Sequence, residues 1–240
     1  MSAPSSELRA AVPPGEDARA GRFLAPHYAS MEAQLDATKL GMWLFLASEV
    51  LFFGGLFAAY AVYRANHPDL FRYAHHFLDW RLGATNTLVL VGSSVSAAWA
   101  VRCAQLGRRR GLRVAILVTL ALAATFMAVK YLEYSHKLHN GVFWGAAYRP
   151  SAEILAALPP ALRDAAAPHH VGIFFSIYFL MTGLHGIHVL VGMGLFAWLL
   201  RRAGRGDFGP GYYGPVDLVA LYWHLVDAIW IFLFPLFYLV

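Results

Sequence analysis

Leu40 to Tyr63 reads LGMWLFLASEVLFFGGLFAAYAVY, an apolar run whose single ionisable side chain is Glu49. At about 1.5 Å per residue such a run makes a helix of roughly 36 Å, against a hydrocarbon core of about 30 Å. Four further stretches are almost free of Asp, Glu, Lys and Arg: Leu82 to Val101, Val114 to Val129, Val171 to Leu200, and Leu218 to Val240, the last interrupted by Asp227. With 59% hydrophobic and 14% charged residues, the chain has too little polar surface to cover a soluble globule. The expectation is an all-α integral membrane bundle of five transmembrane helices, at about 40–63, 82–106, 112–134, 171–200 and 216–240.

The third run is the shortest. It is expected to extend to about Tyr134, burying the stem of Lys130 while its amine reaches the interface. The fourth is longer than a bilayer needs and must tilt or project, and it carries His185 and His188. Residues 1–38 lack a continuous apolar core and read as a disordered or surface-lying cytoplasmic tail rather than a secretory signal. One cysteine, Cys103, leaves no internal disulfide and no thiolate metal cluster.

The formal charge is +5, but its distribution is more informative than its size. The tail, the connection after the second helix and the connection after the fourth hold twelve Lys and Arg residues, including Arg108, Arg109 and Arg110, against seven on the opposite side. The positive-inside rule then places the N-terminus inside and the C-terminus outside. The Arg108 to Arg110 cluster reads as a topology and lipid-headgroup determinant rather than a nucleic-acid site.

An acid inside the bilayer costs about 2.5 to 3.5 kcal/mol on insertion scales, so Glu49 needs a proton, a hydrogen-bonding neighbour or water. Glu133 with His136, His185 with His188, and His224 with Asp227 are each spaced i, i+3 and share a helix face. Di-metal carboxylate bundles draw on the same residue types, which makes a membrane metal enzyme one alternative. Depth argues against one compact site. Glu49, His188, His224 and Asp227 fall roughly 10 to 18 Å from the inner surface, with Glu133 and His136 near the outer face. Taken singly, each histidine is more simply read as a hydrogen-bonding group between helices, worth about 1 kcal/mol or less. The inner cluster could bind metal, relay protons or satisfy itself, and Glu49 is expected to pair with His185 or His188.

Gly54, Gly55, Gly183, Gly186, Gly192 and Gly194 are expected to form close-packing faces on the first and fourth helices. Phe52, Phe53, Phe174, Phe175, Trp223, Trp230 and Phe232 could line a lipid cleft, although lipid-facing or interfacial positions are the commoner fate of such residues.

The strings W-x-F-x-x-S-E-V-x-F-F (Trp43 to Phe53), N-T-x-x-L-x-x-S-S (Asn86 to Ser94), E-Y-x-H (Glu133 to His136), T-G-x-H-G-x-H-V-x-x-G (Thr182 to Gly192) and Y-W-H-x-V-D-x-x-W-x-F-L-F (Tyr222 to Phe234) fall in order along all five runs. In combination they resemble the haem-copper oxidase subunit III proteins of cytochrome c and quinol oxidases, in the short five-helix form. The resemblance implies a non-catalytic subunit with no haem, copper or other metal of its own. It would dock on the catalytic subunit I of a terminal oxidase in a bacterial inner membrane, and the complex would reduce oxygen to water and pump protons. The expected role is to support proton uptake and stability of the catalytic subunit, with structural phospholipid bound. The family's carbodiimide-reactive glutamate falls on Glu49 and its paired histidines on His185 and His188. The short form also resembles accessory subunits of nitric oxide reductases, and a proton-coupled transporter is a third alternative. The tail and the 138–170 loop are candidates for contact with a partner subunit or a respiratory supercomplex, or are plain surface.

Overall fold

The computed structural model describes residues 22–163 and 170–239, and among them the regular structure is helical. Five long helices, α1 (Met31–Asn66), α2 (Trp80–Gln105), α3 (Arg109–His139), α4 (Val171–Arg205) and α5 (Gly214–Tyr238), are each long and apolar enough to cross a membrane. Their ends follow local chemistry. Ser30 caps α1 by accepting from the Ala33 N–H at 3.1 Å, and Asp79 caps α2 by accepting from the Arg81 N–H at 2.8 Å. Gly206, at φ 76°, ends α4 in the left-handed region that favours glycine.

The helices exceed the apolar runs. α1 has 36 residues and α4 has 35, each about 54 Å at ~1.5 Å rise, so both project beyond the hydrocarbon. The stretch 31–38, read from sequence as part of the tail, is the first two turns of α1. Residues 22–30 lie against the α4–α5 connection: the Phe23 ring stacks on Tyr212 at 4.3 Å, and the Gln34 side chain bonds both Ala25 and Phe23 backbone groups. The remainder of the expected tail, 1–21, lies outside the described residues.

α2, α3, α4 and α5 form the packed bundle, in which α2 touches α3 and α5, and α4 touches the same two. α5 is central, with half of its apolar stretch buried, whereas α1 buries 11% and packs mainly along α5. The expected glycine faces therefore do not form. A side chain at Gly54, Gly55, Gly183, Gly186 or Gly194 would meet nothing within 4 Å, because α1 stands at the periphery and these α4 positions lack a close neighbour. Gly192 alone of that set is a true contact, since a Cβ there would lie 2.6 Å from the Trp223 ring. Gly83, not singled out from sequence, lets α2 approach α5, since a Cβ there would lie 2.8 Å from Phe234 and 3.0 Å from Tyr238.

The aromatic set divides in the same way. Phe53, Phe174, Phe175, Trp223 and Trp230 are core residues, and Phe52 and Phe232 face outward. Long polar connections are not loose: in the 138–170 segment Tyr148 stacks on Phe175 at 5.6 Å, Val142 and Leu158 are buried, and the Gly145 carbonyl lies so close to Gly172 that position 172 admits no side chain. Residues 164–169 of that loop are outside the described residues.

Candidate functional site

α1 and α4 meet at one polar contact. His188 Nε2 lies 3.0 Å from Glu49 Oε2, with both side chains 19% exposed. The opposite ring nitrogen, Nδ1, is 2.8 Å from the Leu184 carbonyl, which can only accept, so Nδ1 carries a proton. Nε2 is then either an acceptor from a protonated Glu49 or, as imidazolium, a donor to its carboxylate. In either case the same two heavy atoms make the contact. Tyr222 donates to the His188 carbonyl at 3.0 Å and Phe53 packs edge-on at 5.2 Å, which fixes the ring. A mostly apolar cavity of about 340 Å³ between α1, α4 and α5, lined by Met42, Phe45, Val191 and Tyr222, reaches His188.

Of the two expected partners, then, Glu49 takes His188. His185 sits three residues earlier, which turns it about 60° away around the helix by the 3.6-residue period. Its ring is wholly buried between Phe126 at 5.6 Å and Trp230 at 5.3 Å, and neither nitrogen finds a hydrogen-bonding partner among the described residues. His224 Nδ1 is 2.6 Å from the Ser94 hydroxyl, on the α2–α5 seam. Asp227 is buried without a well-formed hydrogen bond among the described residues, since Ser94, the hydroxyl near enough to influence it, is engaged by His224. The expected inner cluster is thus divided among three seams of the bundle. Among the described residues no group of three or more His, Cys, Asp or Glu side chains could hold a metal ion.

The i, i+3 pairing of Glu133 with His136 is also not what forms. His136 is exposed and bonds the Asn140 amide at 3.2 Å, while Glu133 turns inward. Its carboxylate accepts from Lys130 at 2.9 Å, Lys137 at 2.7 Å, Tyr178 at 2.8 Å and Tyr238 at 2.6 Å. Lys130 does not reach for the interface: it is 6% exposed, donates also to the Tyr178 and Tyr238 hydroxyls, and lies over the Trp230 ring at 5.1 Å. An amine snorkels when no acid is within reach, and here Glu133 is one turn away on the same face. The spacing Lys130, Glu133, Lys137 was visible in the sequence as i, i+3, i+7. The two tyrosines, 45 and 105 residues from Glu133, were not.

Arg108, Arg109 and Arg110 are exposed at the start of α3. Cations there oppose the helix macrodipole, so helix stability does not explain the placement.

Comparison with known proteins agrees with these motifs. The family model described as "Cytochrome c oxidase subunit III" matches residues 18–151 and 163–240. A protein of Nocardia farcinica named "Probable cytochrome c oxidase subunit 3" is 32% identical over 201 residues, covering 84% of this chain and 87% of the relative. "Cytochrome c oxidase subunit 3" of Corynebacterium diphtheriae is 28% identical over 218 residues, covering 90% and 94%. The protein of the same name from Loxodonta africana is 30% identical over 222 residues, covering 90% of this chain and 73% of its own length.

Proposed function

Because the chain belongs to the cytochrome c oxidase subunit III family, we propose that it is the non-catalytic third subunit of a haem-copper terminal oxidase, docked on the haem- and copper-bearing catalytic subunit I in a bacterial inner membrane. Its N-terminus lies inside and its C-terminus outside. The concentration of exposed arginine at the end bearing the α2–α3 and α4–α5 connections supports this orientation. So does the withdrawal of Lys130 and Lys137 from the surface of the other end.

The observation that carries the mechanistic reading is the Glu49–His188 pair. It is a hydrogen-bonded acid–base pair in an apolar wall, partly exposed, with the imidazole also anchored through Nδ1 to the Leu184 carbonyl. Such a pair can accept a proton from the inner side and release it toward the catalytic subunit without metal. The apolar faces of α1, where Leu40, Leu44, Leu51 and Val62 are exposed, suit contact with the catalytic subunit and with structural phospholipid.

Mild-detergent purification of the chain tests the assignment directly. A haem-bearing partner with oxygen-reducing activity should copurify, and recovery alone would refute it. Within that complex, Glu49→Gln should slow proton uptake during turnover. Wild-type turnover and pumping at every pH would remove the proposed role of the pair.

A further inference from the structure

Little holds α1 to the bundle. Its buried side chains are Leu46, Phe53 and Tyr60, seven residues apart, so its contact is one narrow stripe of the helix. Lipid is as apolar as these side chains, and hydrophobicity therefore does not fix the rotation of the stripe. Glu49 sits on its flank, three residues after Leu46 and four before Phe53. At about 100° per residue, a turn of α1 by a single position would carry the carboxyl away from His188.

Directional ties gather at the N-terminal end of α1, where the helix projects beyond the hydrocarbon. Lys39, seven residues before Leu46 and in line with the stripe, meets Asp217 in the first turn of α5 at 2.9 Å. Gly214, at the start of α5, lets Leu35 approach so closely that a Cβ there would lie 3.0 Å from it. Ahead of α1, the Phe23 ring is stacked on Tyr212 and lies under the Arg202 guanidinium of α4 at 5.2 Å, and Gln34 bonds the Phe23 and Ala25 backbone. α5 thus carries both references for the pair: Asp217 for the helix that bears Glu49, and Tyr222, five residues on, for the His188 carbonyl.

We propose that Lys39 and Asp217, together with the Phe23–Tyr212 stack, are positioning residues for the Glu49–His188 pair: they set the rotation of α1 and so hold the carboxyl at the imidazole. Solvent screens a partly exposed ion pair, so its effect falls on this alignment rather than on overall stability. The inference deepens the proposed proton role of the pair and rests on it for any consequence in turnover, whereas the alignment itself is a property of the isolated chain.

Labelling of Glu49 by dicyclohexylcarbodiimide, followed by peptide mass spectrometry on the full chain in a mild detergent, reads that alignment, because a carboxyl released from the imidazole is freer to react. Lys39→Met and Asp217→Asn should each raise the labelling rate by roughly threefold, the factor by which a partly exposed ion pair biases a two-position equilibrium. The double variant should gain no more than either alone, since both remove one tie. Lys39→Arg, which keeps the charge, should label like the unaltered chain. Thr119→Val, which removes the Ser96 hydrogen bond between α2 and α3, should loosen the bundle without changing the rate. An unchanged rate in Lys39→Met, additive effects in the double variant, or an equal rise in Thr119→Val would each overturn the proposal. Failure of the proton role would show differently, as wild-type turnover of Glu49→Gln in the complex.

Discussion

Two glutamates lie within the membrane-spanning helices in well-defined hydrogen-bonded settings, and they are treated oppositely. Glu133 is 4% exposed and receives two ammonium groups and two phenols, whereas Glu49 is 19% exposed at its side chain and receives one imidazole. The first arrangement locks a charge. Each group in it is a partner of at least one other, and removing the carboxylate would leave two buried ammonium groups without their counter-charge in a medium that cannot solvate them. The second is one acid–base hydrogen bond at a partly exposed seam, the pair to which the proposed proton role is assigned. A fold that needs an anchor and an exchangeable proton in the same bundle can obtain both from glutamate by varying the number of fixed donors around it.

That contrast can be broken by substitution. Glu133→Ala should be the most damaging change, costing about 3–5 kcal/mol because two buried lysines lose their counter-charge. Thermal unfolding of the detergent-solubilised chain measures it, and a loss below 1 kcal/mol would mean the cluster is not the clamp described here. Tyr178→Phe should cost less, about 1.5–3 kcal/mol, as it removes a hydrogen bond to a charged group and leaves the ion pairs. Glu49→Gln should cost about 1 kcal/mol or less while altering proton uptake in the complex, and equal destabilisation by Glu49→Gln and Glu133→Ala would erase the distinction.

The smallest effect is expected with pH. Burial, and then the nearby charge of His76, hold the His75 imidazole below its ordinary value, so the folded chain disfavours the protonated ring. The unfolded chain binds that proton more readily, and this contribution to stability is full above about pH 6.5 and is lost as pH falls. His75→Gln should flatten the dependence of the melting temperature below that pH.

The five spans, their order and the short-form family motifs were legible in the sequence, because hydropathy over some twenty residues is a local property that the bilayer enforces. The partner of Glu49 was narrowed to two histidines, since i and i+3 positions share a face and the spacing cannot separate them. Packing against Phe126 and Trp230 takes His185 out of reach and leaves His188, 139 residues from Glu49, at the seam. The same limit explains Glu133. Local spacing offered His136 on one side and Lys130 and Lys137 on the other, and the inward turn of the carboxylate was settled by Tyr178 and Tyr238 arriving from α4 and α5. By itself, then, the sequence determined which segments cross the membrane and which side chains need a partner there. Which partner each received was decided by helix rotation and register in the tertiary structure, because helices sharing a hydrocarbon solvent are aligned by contacts such as Gly192 against Trp223 and Gly83 against Phe234, not by hydropathy.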